Sequence, residues 1–266
     1  MKKLIITIAS VLLPLSAHAG FTLNQPGVNS NGTANASSIS CTFASNPAPG
    51  DLVVVSSIWW DGLADAGTLN SVTDGNSNAY TVSNAVDLDW EAAAGTTRIA
   101  YLLSAPANAN KTITFNYATT NGAGNLLVIF CDDFKITGGT AALDSIATSS
   151  GSSGASVVSP TIGVSYPNDL IYGMAATSYA VTSLSGGWSY GGGGTDPAYG
   201  NAAEYQLSAS SNTALAMTTG SSPLYYDSSA ISFRFVPTPV NTTGQINLFL
   251  GNIFKIMKGS IFMIKH

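Results

Sequence analysis

Asp51-Leu-Val-Val-Val-Ser-Ser-Ile-Trp-Trp60 is apolar but for its leading aspartate and its two serines. Its apolar run is nearly continuous, as expected of a strand buried on both faces or lying at a sheet centre. Asn46-Pro-Ala-Pro-Gly50 breaks the chain just before it. On either side, short β-rich runs recur between turn clusters. Ser38–Phe43 alternates. Ser71–Asp74 enters the turn Gly75-Asn-Ser-Asn78, and Tyr80–Val82 leaves it. Thr97–Leu103, Lys111–Tyr117 and Asn125–Phe130 follow, then a Ser/Gly-rich connector at Ser149–Ser156. No long amphipathic helix interrupts this pattern, which is that of a sandwich or barrel.

A second set of runs echoes the first. Asn168-Asp-Leu-Ile-Tyr-Gly-Met174 resembles Gly50-Asp-Leu-Val-Val-Val-Ser56, and Ala203-Glu-Tyr-Gln-Leu207 occupies the place of Ile99-Ala-Tyr-Leu-Leu103. Ala214–Thr218 and Ala230–Phe235 close the set. The repeat is loose and reads as two halves of one sandwich. Gly186–Gly194, which carries Trp188 and Tyr190, reads as a glycine-rich loop, and Pro237-Thr-Pro239 marks the end of the domain.

Residues 1–19 read as a signal peptide. Lys2 and Lys3 precede an apolar stretch from Leu4 to Leu15, and Ala17-His18-Ala19 supplies the small-x-small cleavage pattern before Gly20. That stretch is roughly 12 residues, whereas a membrane span needs about 20. The expected address is therefore outside the cytoplasm: periplasm, cell surface or medium. Residues 237–266 read as a linker and apolar tail. Gly244, Gly251 and Gly259 favour partial β-repeats over a basic amphipathic helix on a membrane. Such a tail is expected to pair with something, its own domain or another copy in an oligomer.

Charged residues make up 9% of the chain, against about 25% in an ordinary soluble domain. All 14 acids lie between Asp51 and Asp227, and the bases within residues 20–236 are Arg98, Lys111, Lys135 and Arg234. That span carries a net −10 and would repel phosphate backbones, so nucleic acid is not an expected partner. Cys41 alternates with Ile39 and Phe43, and Cys131 with Leu127 and Ile129. Both thiols therefore point with apolar neighbours, and in an oxidising compartment a disulfide between them is expected.

Pro49-Gly-Asp-Leu-Val-Val-Val55, Ser71-Val-Thr-Asp-Gly-Asn-Ser-Asn-Ala-Tyr80, Asn168-Asp-Leu-Ile171, Trp188, Ala203-Glu-Tyr205 and Ile231-Ser-Phe-Arg-Phe235 together resemble the large jelly-roll-like sandwich modules of secreted and surface proteins of bacteria and some phage. The likeness spans roughly residues 35–236. It implies an all-β, two-sheet jelly-roll-like sandwich over residues 20–236, followed by a short β-rich C-terminal tail, and it carries no catalytic residues. Cys131-Asp-Asp departs from the family pattern, so the disulfide is expected to be particular to this protein.

Histidine occurs only at His18 and His266, which removes Ser-His-Asp catalysis, His-ligated zinc and a His general base from the expected domain. Carboxylate chemistry survives this screen. A glycosidase or lyase would draw on Glu91 and Glu204, with Asp61, Asp132 or Asp133 as partner. Calcium is the one cofactor left open. Asp74-Gly-Asn-Ser-Asn78 begins like a calcium loop, but Ala79 stands where glycine is needed, so a type I′-like turn is the better reading. Asp87-x-Asp89-x-Glu91 is the remaining acidic cluster. Trp59, Trp60, Trp188 and Tyr190 are the candidates for stacking on sugar rings, against ordinary core filling. The expected function is an exported, non-enzymatic module for adhesion, glycan binding or appendage structure, with a glycan or another surface protein as partner. A polysaccharide-degrading enzyme is the alternative.

Overall fold

The computed structural model of the chain describes residues 20–31, 36–60, 68–83, 86–90, 93–118, 126–152, 157–158, 161–196, 200–221 and 225–239. The predicted signal peptide and nearly all of the tail lie outside them. Among the described residues every regular element is a strand. The chain divides into a unit ending at Val236 and a short unit from Pro237.

The first half of the large unit contains β1 (Gly20–Asn31), β2 (Ser38–Thr42), β3 (Leu52–Trp60), β4 (Leu69–Asp74), β5 (Thr81–Val82), β6 (Val86–Trp90), β7 (Ala93–Leu102), β8 (Thr112–Tyr117) and β9 (Leu126–Thr137). The second contains β10 (Gly139–Ser152), β11 (Val157–Val158), β12 (Asp169–Thr177), β13 (Val181–Leu184), β14 (Ser189–Thr195), β15 (Ala202–Ala209), β16 (Ala216–Thr219) and β17 (Tyr225–Pro237). Each half builds two sheets. The first inner sheet has the order β1-β9-β3-β7-β5, with β6 also on β7, and the first outer sheet is β2-β8-β4. The second inner sheet is β10-β17-β12-β15-β14 and the second outer sheet is β11-β16-β13.

The two orders match strand for strand, and the registers match as well. Leu52 pairs with Phe134 as Leu170 pairs with Phe233, and Val54 pairs with Tyr101 as Tyr172 pairs with Tyr205. Even the entry turns repeat. Ala48-Pro49-Gly50-Asp51 and Tyr166-Pro167-Asn168-Asp169 each place proline before a left-handed residue, with φ of 94° at Gly50 and 73° at Asn168. Asp51 N–H closes the first turn on Ala48 O at 3.0 Å. Proline followed by a positive-φ residue is the type II turn.

The expectation of one two-sheet sandwich over residues 20–236 is corrected here: among the described residues there are four sheets, two from each half, because each half pairs its own strands and does not contribute one sheet to a shared pair. The inner sheets then face each other. Val54, Ile58, Ile99, Val128 and Phe130 of the first meet Leu170, Tyr172, Met174, Ile231 and Phe233 of the second in one shared core. The other face of the first inner sheet, with Val53, Val55, Trp59 and Ile129, packs on Ile39, Phe43, Ile113 and Phe115 of the first outer sheet. Smaller clusters around Ala175, Ala202 and Met217 and around Ile171, Leu215 and Ala230 fill the space between the second inner and outer sheets. Strand β3 therefore has both faces covered, which is why its apolar run is nearly continuous and its two serines, Ser56 and Ser57, are buried against the Tyr172 and Tyr117 hydroxyls.

Cys41 on β2 and Cys131 on β9 are joined, tying the first outer sheet to the first inner one. Gly27 of β1 crosses directly over this bridge. A Cβ there would lie 2.7 Å from Cys41 Sγ and 2.9 Å from Cys131 Sγ, so only glycine fits.

Candidate functional site

The residues expected to form a sugar-stacking face do not converge. Trp59 is fully buried and packs against Tyr117, with ring centroids 6.0 Å apart. It offers no face to a ligand, and the expectation is corrected there. Trp60, pointing the other way from the same strand, is half-buried against the core between the inner sheets. Trp188 and Tyr190 are half-buried on the opposite side of the second inner sheet, against the clusters beneath the second outer sheet. Adjacent residues of a strand do face opposite ways, but both faces of β3 are covered, so Trp59 is fully buried and Trp60 half-buried.

Asp87 and Asp89 lie on β6, opposite Thr96 and Ala94. Their side chains, and Glu91 altogether, lie outside the described residues, as does Asp61. Among the described residues no group of three or more His, Cys, Asp and Glu side chains is placed to hold a metal ion. The Asp74 loop is a turn held by its own carboxylate. Oδ1 accepts the N–H groups of Asn76 at 2.9 Å and Asn78 at 3.0 Å, and Oδ2 accepts Asn78 Nδ2 and the Asn110 N–H, both at 2.8 Å. Burial pushes this carboxyl up, and the four donors outweigh it to leave it below the ordinary aspartate range. The left-handed residue is Ser77, with φ 64°, and not Gly75, so the turn is not type I′.

The acids considered for glycan hydrolysis are buried where they are described. Asp132, Asp133 and Glu204 are fully buried. Asp132 projects into the layer between the inner sheets, where its oxygens accept the Gly192 N–H at 2.9 and 2.8 Å. The Tyr172 hydroxyl also donates to it and in turn contacts Ser56 Oγ at 3.3 Å. Burial dominates and pushes the Asp132 carboxyl up to about 7. This chain joins β3 and β9 of the first half to β12 and β14 of the second. Thr97 makes a second link, reaching Asp227 Oδ2 at 3.0 Å and Ser229 Oγ at 2.8 Å. Asp133 points the other way and accepts Asn24 Nδ2 at 2.8 Å and Gln25 Nε2 at 3.0 Å. None of these carboxyls is exposed to solvent.

The outward face of the first outer sheet reaches solvent, its residues half-buried to exposed. Residues 39, 41, 113, 115 and 72 point to the core, so their neighbours along each strand point out. In register these form rows: Ser38–Asn116–Ser71, Ser40–Thr114–Thr73, and Thr42–Thr112. Every member is a hydroxyl or an amide. They bond to one another across the strands: Ser40 Oγ to Thr114 Oγ1 at 2.8 Å, Thr42 Oγ1 to Thr112 Oγ1 at 3.1 Å, and Asn116 Nδ2 donating to Ser71 Oγ at 3.2 Å. Lys111 sits at the rim, just before β8 begins. The alternation that makes this face was readable in each strand. The adjacency of β2, β8 and β4, which turns three stripes into a grid, was not.

No protein-family model matches the chain, and no curated protein matches it in sequence. The reading of function therefore rests on the chain's own residues.

Proposed function

We propose that this is an exported, non-catalytic module that acts outside the cytoplasm in adhesion, glycan binding or appendage structure, each half being a jelly-roll-like unit. The observation that carries this reading is the uncharged hydroxyl and amide face of the first outer sheet, set on a body stiffened by a disulfide and a shared core. The signal-like residues 1–19 and the Cys41–Cys131 bridge support an oxidising, extracytoplasmic address. Among the described residues no helix is long and apolar enough to cross a membrane. The full burial of Asp132, Asp133 and Glu204 away from solvent weighs against the polysaccharide-degrading alternative.

The test pairs two assays on the chain from Gly20 onward. A glycan array reads retention, and a reducing-end assay on the retained polysaccharides reads cleavage. Retention without new reducing ends is expected. Turnover that disappears in Glu204→Gln or Glu91→Gln would replace this reading with the enzymatic one.

A further inference from the structure

Taking the binding reading as its basis, we propose that the outward face of the first outer sheet docks an ordered array of neutral polysaccharide chains, as on an insoluble fibre surface, and not a single sugar. The face has the geometry for it. Neighbouring strands stand about 4.8 Å apart and alternate residues about 6.7 Å apart along each strand, so hydroxyls such as Ser40, Thr114 and Thr73 form a regular two-dimensional grid. A single sugar ring covers only one or two grid points, whereas a lattice of chains engages many at once. Weak contacts then add through multivalency.

The chemistry also selects the partner. Each hydroxyl has one donor and two acceptor positions, and the cross-strand bonds at 2.8–3.2 Å use only part of that capacity. Those bonds, with the stiff χ1 of the β-branched threonines, hold the groups in place before a ligand arrives, which lowers the entropy lost on binding. The rows contain no charged side chain. An anionic polymer would meet a span with a net charge of −10, and a cationic one would find no counter-charge in the rows. The rows also contain no aromatic ring, so stacking on an isolated sugar is not the mode of binding. What remains complementary is an uncharged, hydroxyl-rich and repeating surface.

The experiment measures depletion of the chain from Gly20 onward by microcrystalline cellulose and by chitin, in competition with soluble cello- and chito-oligosaccharides. Adsorption to at least one solid is expected, with the matching oligosaccharide at least tenfold weaker as a ligand. Thr114→Lys is expected to cut adsorption at least tenfold, while Thr182→Lys, exposed on the second outer sheet, leaves it unchanged. Should Thr114→Lys not fold, Thr42→Lys at the exposed corner of the grid reads the same face. Adsorption that survives both grid substitutions overturns the placement while leaving glycan binding intact. Binding of soluble oligosaccharides as tight as that of the solid overturns the lattice mode. Capture of neither solid, with an empty glycan array, overturns the binding reading itself, and retention through this face by ice or by a protein overturns the choice of partner.

Discussion

Asp132 is the residue on which the joining of the two halves most visibly depends, and its chemistry is legible in how it titrates. Its carboxyl is buried beneath Tyr172 and Gly192 and sits at about 7, against 3.8 for an ordinary aspartate. Asp51 and Asp169, which head the equivalent strands β3 and β12, are each pushed by burial up to about 6. In all three the folded chain binds its proton more tightly than the unfolded chain. Between pH 3.8 and about 7 the native state therefore holds more protons, and stability falls as pH rises. The stabilising contribution is complete below 3.8 and gone above about 7. Asp74 has the opposite sign and weakens the fold only in stronger acid. The chain is expected to be more stable at pH 5 than at pH 8 in urea unfolding. Asp132→Asn keeps an acceptor for Tyr172 and Gly192 but cannot ionise, and should narrow that gap by on the order of 1–3 kcal/mol. Equal pH dependence in the two proteins would mean that Asp132 is charged throughout. Nothing in Cys131-Asp-Asp foretold this, because the partners of Asp132 lie 40 and 60 positions away in sequence. Acids in a Gly- and Asn-rich chain read as solvated loops until those partners are placed.

Strand β14 is where reading by element failed. Gly186–Gly194 has neither the side chains nor the alternation that marks a strand, so it reads as a loop. In the fold, residues Ser189–Thr195 pair with β15 and lie against β1 and β9. The absence of side chains is what permits that approach. A Cβ on Gly192, at φ 64°, would meet Gly27 O at 2.8 Å and Phe130 Cδ1 at 2.9 Å, whereas one on Gly194 would meet nothing within 4 Å. Gly192→Ala should therefore cost about 2 kcal/mol or more and accelerate hydrogen exchange at the residue 192 amide, with Gly194→Ala near neutral. Similar losses from the two would show that β14 is not seated on the first half. Strand β1, rich in Asn, Gln and Gly, and strand β10, which absorbs part of the supposed Ser/Gly connector, escaped notice for the related reason that edge strands need no apolar stripe on both faces. The strands with one, β2, β3, β7, β8, β12 and β15, were all legible to within a few residues.

At the scale of the whole molecule, the sequence carried more than a two-sheet reading used. The nearly continuous apolar run at Asp51–Trp60 is consistent with cover on both faces, and a sandwich of two sheets covers only one. The echo of that run at Asn168–Met174 falls on β12, the counterpart of β3 in a second sandwich, and the inner sheets of the two share the largest core. What pattern alone could not supply was the order of strands within a sheet, and with it the hydroxyl grid and the burial of Trp59. The apolar layer between the inner sheets, with the Asp132 and Thr97 links across it, should make the two repeated sandwiches unfold as one cooperative body. Scanning calorimetry of residues 20–236 tests this most directly. A single endotherm whose van't Hoff enthalpy equals the calorimetric enthalpy is expected, whereas two resolved endotherms, or a van't Hoff enthalpy near half the calorimetric value, would show that the halves unfold separately.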